Sequence, residues 1–283
     1  MTFHRWQVGL EIGHGTLRAL AVQRRRQGWR LRHWWQQTLP EDALIHGEGL
    51  PPAGVGRLLA RWRKQLPGSI SLRICLPVSL MAQRRIKAPD GRLREPERGW
   101  YIASQARRHF QDDKQALLFD YRDDPLLPQT LLVTAARQGA IAQWQACLNA
   151  AGLDPQIMDF MPCALRCLAR YAGLDADKML IHELGDGWCW VSPLSCPLEF
   201  GFIPRPAAAD FLAARLLINQ QYSHGTLIAG PVAYFSSVLR AVAPINTLAW
   251  PPLDSLWLSY PPVPPWLPAF VVAGGLALRH EDE

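Results

Sequence analysis

Val8-Gly9-Leu10-Glu11-Ile12-Gly13-His14-Gly15-Thr16, near the start of this 283-residue chain, carries one acid inside an apolar run that ends in a glycine turn. The apolar run beyond the turn, residues 16–23, is short for a helix and suits a strand. A strand after the turn argues against a dinucleotide-binding fingerprint, which needs a helix there and a third glycine where Arg18 stands. Backbone N–H groups at such a turn can hold phosphate oxygens, and a neighbouring acid can hold a hydrated cation. The same plan recurs at Ile181-His182-Glu183-Leu184-Gly185-Asp186-Gly187. Two such hairpins predict a duplicated α/β lobe, each copy opening with a hairpin toward a shared cleft.

Outward from this motif, residues 8–12, 16–23 and 29–39 read as three strands, 55–65 as a helix through Leu58, Leu59 and Trp62, and 69–76 as a strand. The texture changes from 78 to 129, where arginine and aspartate are frequent and Pro89-Asp90-Gly91 and Pro96 punctuate the chain. A helix over 97–110 aligns Trp100, Ala103, Arg107 and Phe110, and this stretch reads as a small inserted subdomain. Core texture resumes with a strand over 130–136, a helix over 140–151 closed by Gly152, a strand over 156–160 and a helix from Pro162 to 171. A second lobe begins near Lys178. Strands over 179–184 and 188–193 flank its glycine turn, 197–203 adds a third, and a helix over 207–220, a strand over 226–229 and a helix over 231–241 follow. Residues 251–268 are proline-rich, and 269–279 form an apolar helix expected to pack on the first lobe. The predicted divisions are a first lobe (1–77 and 130–177), the insert (78–129), a reduced second lobe (178–265) and a returning helix (266–283).

Bulk properties bound the function. A hydrophobic fraction of 49% and a charged fraction of 19% describe a folded globular chain. Met1-Thr2-Phe3-His4-Arg5-Trp6 lacks the apolar core of a signal peptide. The longest uncharged stretch, 255–278, holds Pro261, Pro262, Pro264, Pro265 and Pro268, which break a spanning helix. A cytosolic protein is expected. The six cysteines form no Cys-x-x-Cys pair, and Cys163 and Cys167 read as small buried side chains. The net charge of +6 is uneven: residues 1–110 carry 20 Lys+Arg against 7 Asp+Glu, and residues 111–283 carry 10 against 17. A basic first part suits nucleic acid, anionic lipid or an acidic partner, and equally a solvated arginine-rich surface.

The order of first hairpin, insert, Ala135-Ala136-Arg137, Ala150-Ala151-Gly152-Leu153-Asp154-Pro155, Asp159, second hairpin and Gly275-Leu276-Ala277-Leu278-Arg279 resembles the PilM family of type IV pilus assembly proteins. It is most similar to the family's short HofM-type members, linked to competence-like DNA uptake. The resemblance implies an actin-like, ribonuclease H-like fold of two lobes with an inserted subdomain. It also implies residence at the cytoplasmic face of the inner membrane. The N-terminal tail of a bitopic membrane partner, PilN, would lie in a groove between the first lobe and the insert. ATP with magnesium would bind in the interlobe cleft. On that basis Gly13, Gly15 and Thr16 match the first phosphate turn, Gly185 and Gly187 the second, and Gly230 an adenine-side glycine. Glu11 and Glu183 stand where aspartate is usual. Three departures oppose a working site: the extra methylene of both glutamates, the charge of Asp186 at a phosphate turn, and Pro231 in place of a second adenine-side glycine.

Three functions are compatible with these residues. The leading one is a non-catalytic scaffold recruited by the partner's tail, with Trp100, Ala103 and Phe110 as apolar anchors and Arg84, Arg85 and Lys87 attracting acidic groups. The same stripe reads equally well as the subdomain's own core. The second is an ATP-binding actin-like switch or weak ATPase. The third is direct nucleic-acid binding through the basic first lobe, for which Trp34-Trp35 beside Arg30 and Arg32 is the best platform. Ser195, His182 and Asp186 lie near one another in sequence but lack a Gly-x-Ser-x-Gly elbow, so no hydrolase is predicted.

Overall fold

In the computed structural model, which describes residues 5–13, 15–40, 50–76, 78, 81–109, 116–124, 127–222, 232–238, 242–248, 253–254, 256 and 261–279, the first hairpin is a strand pair. Strands β1 (Trp6–Ile12), β2 (Thr16–Arg25) and β3 (Gly28–Thr38) form a meander, and helix α1 (Val55–Arg63) leads to β4 (Ile70–Leu76). Next come β5 (Met81–Lys87), α2 (Glu97–His109), β6 (Leu117–Asp123) and β7 (Thr130–Arg137), then α3 (Gln138–Ala150), β8 (Pro155–Phe160) and α4 (Met161–Tyr171). The remainder holds β9 (Leu180–Glu183), β10 (Gly187–Val191), β11 (Phe200–Pro204), α5 (Phe211–Gln221), β12 (Val232–Ser236), β13 (Thr247–Leu248), a 3-10 turn at Leu267–Phe270 and α6 (Val271–Leu278).

Two five-stranded sheets repeat one topology. Their orders are β3-β2-β1-β4-β8 and β11-β10-β9-β12-β13. In each, the hairpin strands pair antiparallel and the last two strands add in parallel. This duplicated arrangement is the two-lobed actin-like α/β fold. A third sheet, β5-β7-β6, is antiparallel and carries α2 on one face through Ile102 and Ala106.

Two expected elements change place. The strand over 130–136 does not return to the first lobe; it is β7, the central strand of the small sheet. An apolar strand buried in either sheet has the same composition, so its texture could not tell them apart. The helix expected over 231–241 is replaced at Val232–Ser236 by β12, whose Val-Ala-Tyr-Phe run pairs parallel with β9. The strand expected over 226–229 lies outside the described residues.

The centre of the first sheet is covered on both faces, so β2 is buried at seven consecutive residues, 17–23, with Arg18 and Gln23 among them. Val8, Leu10, Ile12, Leu17 and Ala19 pack under α1 and α3 with Trp62 and Trp144. Leu20, Val22 and Cys75 face the other way, into a core shared by α4, α6 and the second lobe. Helix α6 is buried at all eight residues. It sits so close to β1 that a Cβ on Gly9 would collide with the Ala273 carbonyl, and one on Gly275 with that of Ala164 in α4. The closing apolar helix therefore seats on the first lobe, against backbone rather than side chains.

Candidate functional site: a closed lobe seam and an open groove

Strand alternation sends the acids of the two hairpins to different faces. On β1, Glu11 follows Gly9 onto the face that meets the second lobe. It is fully buried, and Arg18 Nη1, from its register partner on β2, lies 3.7 Å from its Oε1. Neither carboxylate oxygen accepts a hydrogen bond. Burial raises the Glu11 pKa from 4.5 to about 7, with Arg18 opposing the rise and Asp186 adding to it.

On β9 the residue that faces this seam is His182. Its neighbour Leu180 belongs to the shared core with Cys189 and Phe235, whereas Ile181 packs with Trp188 and Trp190 under α5. His182 has no exposed surface and neither ring nitrogen has a hydrogen-bond partner. Burial, and then Arg18, lower its pKa from 6.5 to about 3, so the ring is neutral. Glu183, one residue further, turns toward α5. Arg205 Nη2 donates to it at 3.1 Å, Ser236 Oγ at 2.9 Å, and the Tyr234 hydroxyl also donates. Burial, then this bond to Glu183, hold the Tyr234 phenol above its ordinary range. The expectation that Glu11 and Glu183 face one another across a cleft is thus corrected by one residue of register.

The seam residues do not fit a magnesium nucleotide. Of the two strand acids only Glu11 faces the seam, Asp186 of the second turn adds like charge near it, and Arg18 already stands beside it as a fixed cation. The Gly13 N–H donates to Thr16 O at 3.0 Å and is spent within its own turn, while Gly15 O accepts from Leu39 N. A Cβ on Gly187 would run into the Ile203 carbonyl and the Phe202 ring, so that glycine serves the β10–β11 contact; around Gly185 there is open space. Among the described residues no group of three or more His, Cys, Asp or Glu side chains is placed to hold a metal ion. His14, Gly230 and Pro231 lie outside the described residues.

An open groove lies elsewhere, between the small sheet and the first lobe. Its cavity, about 530 Å³, has Leu118, Asp120 and Arg122 of β6 with Thr134 of β7 on one wall, and Ile157 and Met158 of β8 on the other. Strands β6 and β8 each end their sheet, so both border the groove with edge backbone. At its floor Arg279 donates to Asp159, which is 5% exposed and whose pKa burial pushes up despite this arginine. Asp159 and Arg279 terminate two of the sequence elements quoted above, and the fold joins them by this ion pair.

None of the predicted partner anchors among the described residues lines that groove. Arg85, on β5, binds Asp124 at 3.1 Å, Glu199 at 3.3 Å and the Leu198 carbonyl at 2.7 Å, tying the small sheet to the second lobe. Arg84 donates to the Gln83 carbonyl, and Lys87 is exposed at the end of β5. On α2 the inward residues are Ile102 and Ala106; Trp100 is 68% exposed and Ala103 half-buried. Phe110 lies outside the described residues. The tryptophan platform is also absent as such. Trp35 stacks on Trp62 at 5.0 Å, Trp34 Nε1 donates to Pro262 O at 2.7 Å, and Arg32 holds Gln23 Oε1. The groove residues were missed because tertiary contacts assemble them; the pairing of Asp159 with Arg279 was the available signal.

No protein-family model matches the chain. It is similar to the DNA utilization protein HofM of Escherichia coli (strain K12), with 24% identity over 98% of both chains. Among solved structures it is similar to one described as a PilM-PilN type IV pilus biogenesis complex, with TM-score 0.68, 19% identity and coverage of 96% of this chain and 97% of that one. The cytoplasmic domain of EpsL, an inner-membrane component of the Vibrio cholerae type II secretion system, superimposes with TM-score 0.57 and 11% identity, over 96% of this chain and 94% of that chain. The resemblance read from the sequence is therefore carried by a curated relative over nearly the whole length, and the fold by both structures. No helix among the described residues is long and apolar enough to cross a membrane.

Proposed function

We propose that this protein is a docking scaffold of a type IV pilus-like, competence-like machine that supports uptake and use of external DNA. It holds the N-terminal cytoplasmic tail of a PilN-like bitopic inner-membrane partner and stands peripherally at the cytoplasmic face of that membrane. The observation that carries this reading is the groove between β6–β7 and β8. An extended tail entering there meets two sheet edges and apolar positions at Leu118 and Met158, the ingredients of strand addition. The similarity to HofM and to PilM in complex with PilN supports the same assignment. The seam, with its single unsatisfied acid and neutral histidine, offers no nucleophile–base pair, and we assign it no catalysis.

The test is fluorescence anisotropy with the labelled tail of the inner-membrane partner. Leu118 is 44% exposed, so Leu118→Asp leaves the fold intact and should weaken the tail at least about tenfold. Lys87→Glu, outside the groove, should leave affinity within about twofold. Equal binding by wild type and Leu118→Asp would exclude the groove.

A further inference from the structure

Helix α2 turns one stripe inward, through Ile102 and Ala106, and the opposite stripe outward. At 3.6 residues per turn the outer stripe holds Glu97, Trp100, Tyr101, Ser104, Arg107 and Arg108, and all six are exposed. Its first half carries two aromatic rings and its second half two guanidiniums. We infer that this outer face lies against an anionic phospholipid surface, with Trp100 at the headgroup level and Arg107 and Arg108 on the lipid phosphates.

Trp100 is the feature that asks for a partner. It is 68% exposed, whereas the other nine tryptophans among the described residues are buried or half-buried. Tyr101 beside it is exposed as well. Arginine is also dense and exposed at Arg24, Arg25 and Arg26 and at Arg57 and Arg61, but the nearby Trp29 and Trp62 are buried. Among the described residues, only α2 couples an exposed tryptophan to exposed cations.

The charge is counted with its partners. Residues 88–109 hold five arginines against Asp90, Glu95 and Glu97. Arg98 is engaged inward, over the Tyr121 ring at 5.9 Å, and Glu95 accepts from the Tyr121 hydroxyl at 2.6 Å. Arg92, Arg94, Arg107 and Arg108 then stand against Asp90 and Glu97, an excess of two cations. Arginines in a last turn also suit the helix C-terminus, but that leaves the outward Trp100 unexplained.

A lipid surface fits better than a peptide or a nucleic acid. A convex helix face has no cleft to grip a peptide, and two rings at one end of a helix make no channel for a strand. A flat anionic surface needs only cations and interfacial aromatics. Phe119 and Tyr121 of β6 pack with α2, while Leu118, Asp120 and Arg122 line the groove on the sheet's other face. Lipid contact therefore leaves the groove open. This goes beyond the docking reading, in which the membrane is reached only through the partner.

The test is flotation of the whole chain, with no partner present, on phosphatidylcholine vesicles with and without about 30% phosphatidylglycerol. Binding should require phosphatidylglycerol and weaken as salt rises. Arg107→Gln with Arg108→Gln, and separately Trp100→Ala, should each lower the partition coefficient about tenfold. Two controls should stay within about twofold: Arg57→Gln with Arg61→Gln on α1, which removes the same charge, and Leu212→Ala on α5, at a leucine 69% exposed. All these positions are exposed, so the variants leave the fold intact. No phosphatidylglycerol-dependent binding, or an equal loss from the α1 and α2 pairs, overturns the assignment. Displacement of the vesicles by a single-stranded oligonucleotide at equal phosphate concentration also overturns it and gives the face to nucleic acid. Because no tail is in the assay, its failure leaves tail docking untouched.

Discussion

The two hairpins share a topology and make opposite use of their acids. Glu11 points into the seam and finds one distant guanidinium and no hydrogen-bond donor. Glu183 points away from the seam and is met by Arg205, Tyr234 and Ser236. One acid carries strain at the lobe boundary; the other braces a single lobe from within. A site that clasps phosphate between two matching turns requires the acids to be equivalent, and here they are not. The duplicated topology survives while the equivalence has gone, consistent with a fold kept for the surfaces it presents.

The largest effect expected from breaking this comparison comes at the close contact of the first hairpin with α6. Gly9→Val drives a side chain into the Ala273 carbonyl and should cost more than about 4 kcal/mol in urea unfolding, or abolish folding. A cost under 1 kcal/mol would mean that α6 does not seat on β1.

The next effect is a pH dependence. The raised pKa of Glu11 makes the folded state bind more protons between pH 4.5 and about 7, so its contribution falls across that window. Fully expressed, the fall is roughly 3 kcal/mol. The lowered pKa of His182 has the opposite sign, with stability lost as pH drops from 6.5 toward about 3. Between pH 4.5 and 6.5 the two slopes oppose each other. Glu11→Gln should therefore reveal the histidine slope: stability that rises with pH over that interval where the wild type is flatter. Identical pH profiles for the two proteins would remove Glu11 from the seam.

A smaller difference separates the acids directly. Glu183→Gln weakens three contacts around a partly buried Arg205 and should cost about 2 kcal/mol at neutral pH. Glu11→Gln has no donor to lose and removes the cost of ionising a buried acid, so at neutral pH it should leave stability unchanged or raise it by up to about 3 kcal/mol. Reversal of that order in denaturant titrations would invert the account of the two hairpins.

Much of the fold could be read from residues. The strand assignment of 16–23 rested on its length and on Arg18 in the third glycine position, and β2 occupies Thr16–Arg25. Gly152 closes α3 with φ of 74°, and Pro162 lies in the first turn of α4. The face of Glu183 was not legible, because alternation reverses with every residue and the glycine turn alone does not set the phase. Residues Val232–Ser236 were assigned to a helix on the strength of a leading proline, although their β-branched and aromatic content favours the strand that forms. The α2 stripe through Trp100 and Ala103 has helical spacing, yet the inward stripe runs through Ile102 and Ala106. Spacing gives a period but not the direction of the core. The groove depends on two strands 32 or more residues apart in sequence, Leu117–Asp123 and Pro155–Phe160, and no local pattern predicts their approach.

Hydrogen exchange with two ligands tests the division between closed seam and open groove most directly. The partner's tail should slow exchange in 117–123 and 155–160 and leave 8–13 and 181–190 unchanged, whereas Mg-ATP should protect none of these segments. Protection of both hairpins by Mg-ATP, with no change in β6 or β8 on adding the tail, would contradict the account.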